Sequence, residues 1–334
     1  MVRKRTSMLV FAVTLALACA PMAGQKMAKS AEHAGGEAVL WTDPGDIRSR
    51  NLFFGPGGKK NVPQPPVTFE KEDEKGTSPK FDVRDQADKK WKAKLGVEAQ
   101  PETVAVRLLW AVGYDANENY FFPDLQVDGL PKHLQRGEEF ITAGHARNVR
   151  LQRHPHGDKK AGEWSWRKNP FKGTREFNGL RVMMALISNW DLKDSNNAIY
   201  EDGAGHKLYQ VSDVGGSFGR SGKSYNDVMS KNNLGAYQRA KFVSKVRPDY
   251  VDFNFPTRPP FLYIFHLPFF IQRMRIHWIG KHIPRDDARW VGSLLKHLSP
   301  QQIRDAFRAA GYSPEQTEAF ATALEHRIAE LAQL

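Results

Sequence analysis

The apolar and polar positions of residues 67–113 repeat first with the period of strands and then with that of a helix. Three short alternating runs predict strands separated by turns. They cover residues 67–70, 81–84 and 91–95. From Pro101 to Val112 the apolar positions recur at helical spacing, and Gly113 suits the end of that helix. This part of the chain is therefore predicted to fold as three strands followed by one helix.

The second half of the chain is predicted to be helices around one hairpin. Thr174 can cap a helix that runs to about Ile187. Apolar runs on either side of a Gly-containing turn predict two hairpin strands, at 198–200 and 207–211. Three more helices, the last two preceded by capping serines, are predicted at 286–297, 300–310 and 314–331.

The first residues have the pattern of an export signal, with a positive start and then an apolar run too short to span a bilayer. We predict a signal segment over 1–19 and a location in the periplasm or at the cell surface. Cys19, the only cysteine in 334 residues, ends a stretch that resembles a bacterial lipoprotein cleavage box. Lipidation there would anchor the protein to the membrane through lipid alone. Cleavage after Ala20 or Ala23 is the alternative.

Composition divides the remaining chain. Residues 20–66 are rich in Gly, Ala, Lys and Pro and are predicted to be a flexible linker, with a globular body after them. No later segment is long and apolar enough to span a membrane. The formal net charge of +12 favours anionic partners without choosing among them. Trp164 and Trp166 lie in a basic stretch, but no nucleic-acid-binding module frames them, so nucleic acid is not predicted as a partner.

Two further groups of residues carry candidate chemistry. Asp191 and Asn196 stand five apart directly after the predicted helix, and Asp213 begins an Asp-Val-Gly turn after the hairpin. Carboxylate and amide oxygens are the hard ligands that Mg²⁺ prefers. In the first half, Lys94 lies on the third strand and Glu102 opens the following helix. Each residue taken singly also suits an ordinary turn, a strand surface or a helix start.

In this order and spacing, residues 67–220 resemble the atypical protein-kinase-like superfamily, particularly its divergent HipA-type and secreted spore-coat and Golgi kinase branches. The resemblance implies an α+β, bilobal fold. A small antiparallel-sheet N-lobe with one helix would cover 67–150, and a larger, mainly helical C-lobe would cover 151–334.

The resemblance also implies roles. ATP and Mg²⁺ would be the cofactors, with Asp191 as the base for the acceptor hydroxyl and Lys193 beside the transferred phosphate. The cofactor-binding residues would be Lys94, Glu102, Gly76 and Ser78, and the metal ligands would be Asn196 and Asp213. Lys92, two places before Lys94 on the same strand face, is an alternative phosphate-binding lysine.

The sequence departs from the family pattern in three places. Asn189-Trp190 replaces the His-Arg before the catalytic aspartate, so control through a phosphate that pairs with that arginine is not expected. Glu102 follows Lys94 by only eight positions. No Gly-x-Gly-x-x-Gly loop is present, so the turn at 76–80 would cover the phosphates with fewer glycines.

The predicted function is that of an exported, kinase-like phosphotransferase that uses Mg-ATP to phosphorylate a protein or envelope component. The alternative is a catalytically inactive, kinase-like binding protein of the cell envelope. The acceptor, and the choice between phosphate and AMP transfer, stay open.

The predicted membrane anchor can be tested at Cys19. Mass spectrometry of the mature protein should find a lipid-modified N-terminal cysteine, and Cys19→Ser should release the protein from the membrane fraction. An unmodified N-terminus after Ala20 or Ala23 would contradict the anchor.

Overall fold

The computed structural model combines strands and helices, as expected for an α+β protein. It describes residues 36–76, 78–157, 159–219, 230–255 and 276–334. The signal segment, Cys19 and the first part of the expected linker lie outside these residues. No helix in the described ranges is long and apolar enough to cross a membrane.

Twelve strands are found in the described residues. In chain order they are β1 (Ala38–Val39), β2 (Val67–Glu72), β3 (Lys80–Arg84), β4 (Lys90–Leu95), β5 (Glu118–Asp128), β6 (Ile141–Thr142), β7 (His145–Arg153), β8 (Asn197–Glu201), β9 (Lys207–Val211), β10 (Val243–Val246), β11 (Tyr250–Phe253) and β12 (Ile283–Pro284).

Five of these strands close into a barrel, in place of the small antiparallel sheet expected for an N-lobe. They follow the order β4-β3-β2-β5-β7, and β7 also pairs with β4, while β6 extends the sheet from β7. The β2–β5 pair is parallel and the other barrel pairs are antiparallel. The interior is apolar, with Phe81, Val83, Trp91, Ala93, Leu95, Tyr120, Val149 and Leu151 all buried.

Two of the five barrel strands, β5 and β7, are missing from the sequence prediction, and they are the ones that close the barrel. β5 lacks a simple alternation, because Tyr120, Phe121 and Phe122 stand next to one another and Pro123 follows them. β7 has few apolar positions. In β7 only Ala146, Val149 and Leu151 are buried apolar residues, and the strand also contains three arginines. A barrel closes when strands that are distant in the sequence pair with each other. The alternation of apolar and polar residues within one strand does not show which strand it pairs with.

Six longer helices belong to the described chain. They are α1 (Ala99–Ala111), α2 (Arg175–Leu186), α3 (Leu234–Arg239), α4 (Arg285–Leu295), α5 (Pro300–Arg308) and α6 (Pro314–Ala332). The predicted caps are present: the Thr174 side chain accepts from the Phe177 backbone, and Ser299 and Ser313 each form a capping box. The C-terminal half is less purely helical than expected, because two three-stranded sheets, β1-β9-β8 and β10-β11-β12, accompany these helices.

Residues 36–66 pack against the body, which differs from the flexible linker expected over 20–66. Leu40, Ile47 and Leu52 are at most 3% exposed and join the core formed around α1 and α2. β1 pairs in parallel with β9. The Gln302 side chain of α5 also donates to the carbonyl of Ile47, at 3.0 Å. The glycines and prolines suggested a tether, but the few apolar residues between them are sufficient to dock the segment.

Arg327 of α6 braces the C-terminal end of α2. Its buried guanidinium donates to the carbonyl of Leu186 and to the Ser188 hydroxyl, both at 2.8 Å, and to the carbonyl of Tyr237 at 2.8 Å. The group also lies 3.8 Å from the centre of the Tyr237 ring. Carbonyls at a helix end lack intrahelical partners, so this cation supplies the donors they need. It thereby fixes the point where α2 leads into the Asn189–Asn197 loop.

Leu52 and Phe53 provide a test of whether residues 36–66 belong to the body. Leu52→Ala should lower the free energy of unfolding by about 2–5 kcal/mol, because its 1% exposed side chain would leave a cavity. Phe53→Ala, at a 38% exposed neighbour, should cost less than about 1 kcal/mol. Urea denaturation measures both, and equally small losses would restore the linker interpretation.

Candidate active site

Lys94 is the centre of a buried ionic cluster. It lies on β4, and its side chain is 6% exposed. Its Nζ atom is 2.5 Å from Oε2 of Glu98, 3.1 Å from Oε2 of Glu102 and 3.2 Å from Oδ1 of Asp213. A strand, a helix and a distant turn therefore meet on one ammonium group.

Both glutamates come from the start of α1, one helical turn apart. Residues four positions apart share a helix face, so both carboxylates point to the same cation. Gly96, with φ of +88°, turns the chain directly from β4 into this helix. The short turn explains why Glu102 follows Lys94 so closely in the sequence. Glu102 also lies 3.4 Å from a guanidinium nitrogen of the buried Arg150 of β7.

The cluster shifts the titration of its members in different directions. Burial alone would lower the pKa of Lys94, but the three carboxylates outweigh it and raise this pKa. Burial raises the pKa of Glu102, and the nearby cations only partly offset that effect. For Glu98, burial would likewise raise the pKa, but Lys94 and Lys231 outweigh it and lower the value.

Asp213 stands on the turn after β9, next to Asn196. Its backbone N–H donates to the carbonyl of Asn196 at 3.1 Å, and its Oδ1 accepts from the Gly215 N–H at 3.1 Å. The Asp213 side chain is 44% exposed. Partial desolvation would raise the pKa of this carboxyl, but the ammonium of Lys94 outweighs it and lowers the pKa. The carboxylate is thus charged and accessible at neutral pH.

Two glycines permit the close approach of this turn to its neighbours. A Cβ at Gly215 would lie 3.0 Å from Cβ of Glu98 and 3.1 Å from Oε2 of Glu102. A Cβ at Gly216 would lie 3.2 Å from Cβ of Asp191. Such contacts are tighter than side chains normally make, so glycine lets the turn lie against both α1 and the Asp191 loop.

The loop after α2 places Asp191, Lys193 and Asn196 together. The Asn196 side-chain amide donates to the carbonyl of Asp191 at 2.6 Å, and the Asp191 N–H donates to Oδ1 of Asn189 at 3.1 Å. Lys193 Nζ is 2.9 Å from Oδ1 of Asp191. The Asp191 carboxylate is 29% exposed and the Lys193 side chain 42% exposed, so both are open to solvent and to a ligand.

Gly76 and Ser78 belong to the loop between β2 and β3, which we call the covering loop (residues 73–79; residue 77 is outside the described ranges). The Ser78 hydroxyl donates to Oε2 of Glu98 at 2.8 Å. Gly76 has φ of +73°, and its carbonyl accepts from the Arg136 guanidinium. The covering loop therefore contacts the Lys94 cluster through Ser78.

Lys92, the alternative to Lys94, occupies a different network. Its Nζ lies 2.7 Å from a carboxylate oxygen of Asp73 and 3.0 Å from one of Asp82, and its side chain is 41% exposed. The structure thus places Lys94, and not Lys92, beside α1.

Three residues of the cluster were not expected from the sequence. Glu98 lies four positions from both Lys94 and Glu102, and this spacing was the available signal for it. Arg150 reaches the cluster from an unpredicted strand, and Lys231, which pairs with Glu98, comes from a segment without a motif.

Two tryptophans and one histidine outside the Lys94 cluster are buried. Trp164 and Trp166 are buried, at 4% and 1% exposure, and are not available to stack on bases. His154 is buried against Tyr200 and pairs with Asp115. In the described part of the chain, one group of three acidic, His or Cys side chains converges closely enough to hold a metal ion, and it is Glu98, Glu102 and Asp213 around Lys94.

Comparisons with known proteins give one remote likeness. No protein-family model matches the chain, and no curated protein does. Among solved structures, the crystal structure of a Helicobacter pylori proinflammatory kinase, CtkA, aligns with a TM-score of 0.42 and 10% sequence identity. The alignment covers 80% of this chain and 97% of that one. A TM-score below 0.5 does not establish a shared fold.

Glu98 predicts a specific pH dependence of stability. Its pKa is lowered from the ordinary value of 4.5, so the unfolded chain binds this proton more tightly than the folded protein. Its contribution is complete well above pH 4.5 and is lost as pH falls below that value. Glu98→Gln should therefore flatten the decline in unfolding free energy between about pH 5 and about pH 3.

Urea denaturation across this pH range measures the decline, with Glu139→Gln as the control at an exposed glutamate. A decline as steep in Glu98→Gln as in the wild type would show that Glu98 is not held as an ion by Lys94 and Lys231.

Proposed function

We propose that this chain is a kinase-like phosphotransferase that uses Mg-ATP. The observation that carries the proposal is the meeting of Lys94, Glu102 and Asp213, with Asp191 and Asn196 beside them. Lys94 and Asp213 are 119 positions apart in the chain. Charged residues of unrelated, solvent-exposed turns are not expected to meet at one buried lysine.

The residues present fit a nucleotide with its metal ion. Asp213 offers a charged, accessible carboxylate, and its hydrogen-bonded neighbour Asn196 offers an amide, which are the hard oxygen donors that Mg²⁺ takes. The bound ion would neutralise phosphate charge. Lys94 would contact phosphate oxygens while Glu98 and Glu102 hold its ammonium in place. Since phosphoryl transfer depends mainly on positioning and charge neutralisation, a rigid lysine is the useful part.

Asp191 is proposed to orient the acceptor hydroxyl and accept its proton. Its backbone is fixed on both sides by Asn189 and Asn196, while its carboxylate stays partly exposed. Lys193, now paired with Asp191, would neutralise the transferred phosphoryl group. The acceptor is proposed to be a protein or envelope component, with the chain exported and anchored through Cys19.

Replacing the two aspartates separately tests these roles. Asp213→Asn should remove a metal ligand, so ATP affinity in Mg²⁺ should fall toward its metal-free value. Asp191→Asn should leave ATP affinity intact and lower turnover by about 100- to 10,000-fold. Calorimetric titration with ATP, with and without Mg²⁺, measures binding, and transfer from labelled ATP to envelope extracts or to the protein itself measures turnover.

Asp194→Asn is the matched control, because Asp194 lies in the same loop and its carboxylate accepts from the Trp166 backbone. Binding of Mg-ATP without any turnover would favour the inactive binding protein. If neither nucleotide nor metal binds, and both variants lose only stability, the aspartates merely hold turns together and the proposal is wrong.

A further inference from the structure

Lys80 lies beside Lys94 on the neighbouring strand. The antiparallel register of β3 and β4 pairs the two residues directly. Directly opposed residues of an antiparallel pair project to the same face of the sheet, with their Cβ atoms about 4.5–5.5 Å apart. Lys80 therefore shares the outer barrel face with Lys94.

The ammonium of Lys80 lies beneath the covering loop. Nζ is 3.6 Å from Oδ2 of Asp73, at the start of the loop, and its side chain is 22% exposed. It also lies 3.8 Å from where a Cβ would stand on Gly76. The lysine thus occupies the space between the strand and the loop.

Arg136 also contacts the covering loop. Its guanidinium donates to the carbonyls of Gly76 and Asp73, the latter at 3.2 Å. The backbone N–H of Arg136 in turn donates to the Glu72 carboxylate at 3.2 Å. These contacts hold Asp73 and Gly76, two loop residues that lie close to Lys80, in place before any ligand arrives.

Lys80, on the outer barrel face, has to share its carboxylate partner with another lysine. The Asp73 carboxylate that faces Lys80 at 3.6 Å is also bound by Lys92, which is closer, at 2.7 Å, and pairs with Asp82 as well. Burial lowers the pKa of Lys80, and Asp73 offsets this only in part. An anionic group between the strand and the loop would be favoured by the ammonium of Lys80.

We propose that Lys80 is a second phosphate-binding residue, which contacts the phosphates farther from the nucleoside and makes affinity depend on their number. The proposal rests on the proposed nucleotide site at Lys94. A glycine-rich loop would offer backbone N–H groups to these phosphates. Here the lysine beneath the covering loop takes that task, which accounts for the missing glycines.

Titration calorimetry with adenosine, AMP, ADP and ATP in Mg²⁺ tests the proposal on Lys80→Met. A lost charge-assisted contact should weaken ATP binding by about tenfold or more, with a smaller loss for ADP. Adenosine and AMP should bind as they do to the wild type. Lys80→Arg should recover most of the ATP affinity, since it keeps the charge.

Lys71→Met is the control, because Lys71 is a 73% exposed lysine of β2 that pairs with Asp82. An equal loss for all four ligands, or no loss for ATP, would overturn the role of Lys80 alone. Failure of the wild type to bind any nucleotide would overturn the proposed function and this role with it. If Lys80→Met does not fold, Lys80→Gln replaces it in the same titrations.

Discussion

A single buried ammonium group fixes the relative positions of three parts of this molecule. An unpaired charge in such a position would cost several kcal/mol, so the Lys94 side chain is tolerable only while its carboxylates surround it. Those carboxylates come from α1 and from the turn at Asp213. The Lys94 side chain therefore ties the barrel, α1 and the Asp213 turn to one another.

Under the proposed function, the same ion pairs would connect stability to nucleotide binding. Each carboxylate that now contacts Lys94 is held by at least one further group, such as Ser78 and Lys231 on Glu98 or Arg150 on Glu102. A phosphate bound as proposed would thus share the ammonium without leaving a carboxylate unpaired. Asp213 is the most exposed of the three, and is the one best placed to change partners.

Local patterns were sufficient for much of this arrangement. The strands around Phe81 and Trp91, the capped helices and the turn at Asp213 each follow from periodicity or from capping and turn residues within a few positions. The choice between Lys92 and Lys94 did not follow, since alternation gives both residues the same face. Closure of the barrel, the docking of residues 36–66 and the approach of Arg150 depend on pairing between distant segments, which no local window contains.

The closed barrel explains why Lys94, and not Lys92, lies beside α1. β4 is hydrogen-bonded along one edge to β3 and along the other to β7. A strand at the rim of an open sheet can slide by two residues and keep its faces, which would exchange Lys92 for Lys94 beneath α1. Here such a slide would have to break and re-form two ladders at once, and it would put the large Trp91 side chain where Ala93 now packs in the barrel interior. Closure of the barrel therefore fixes the register of β4, so that Lys94, and not the chemically equivalent Lys92, contacts Glu98 and Glu102.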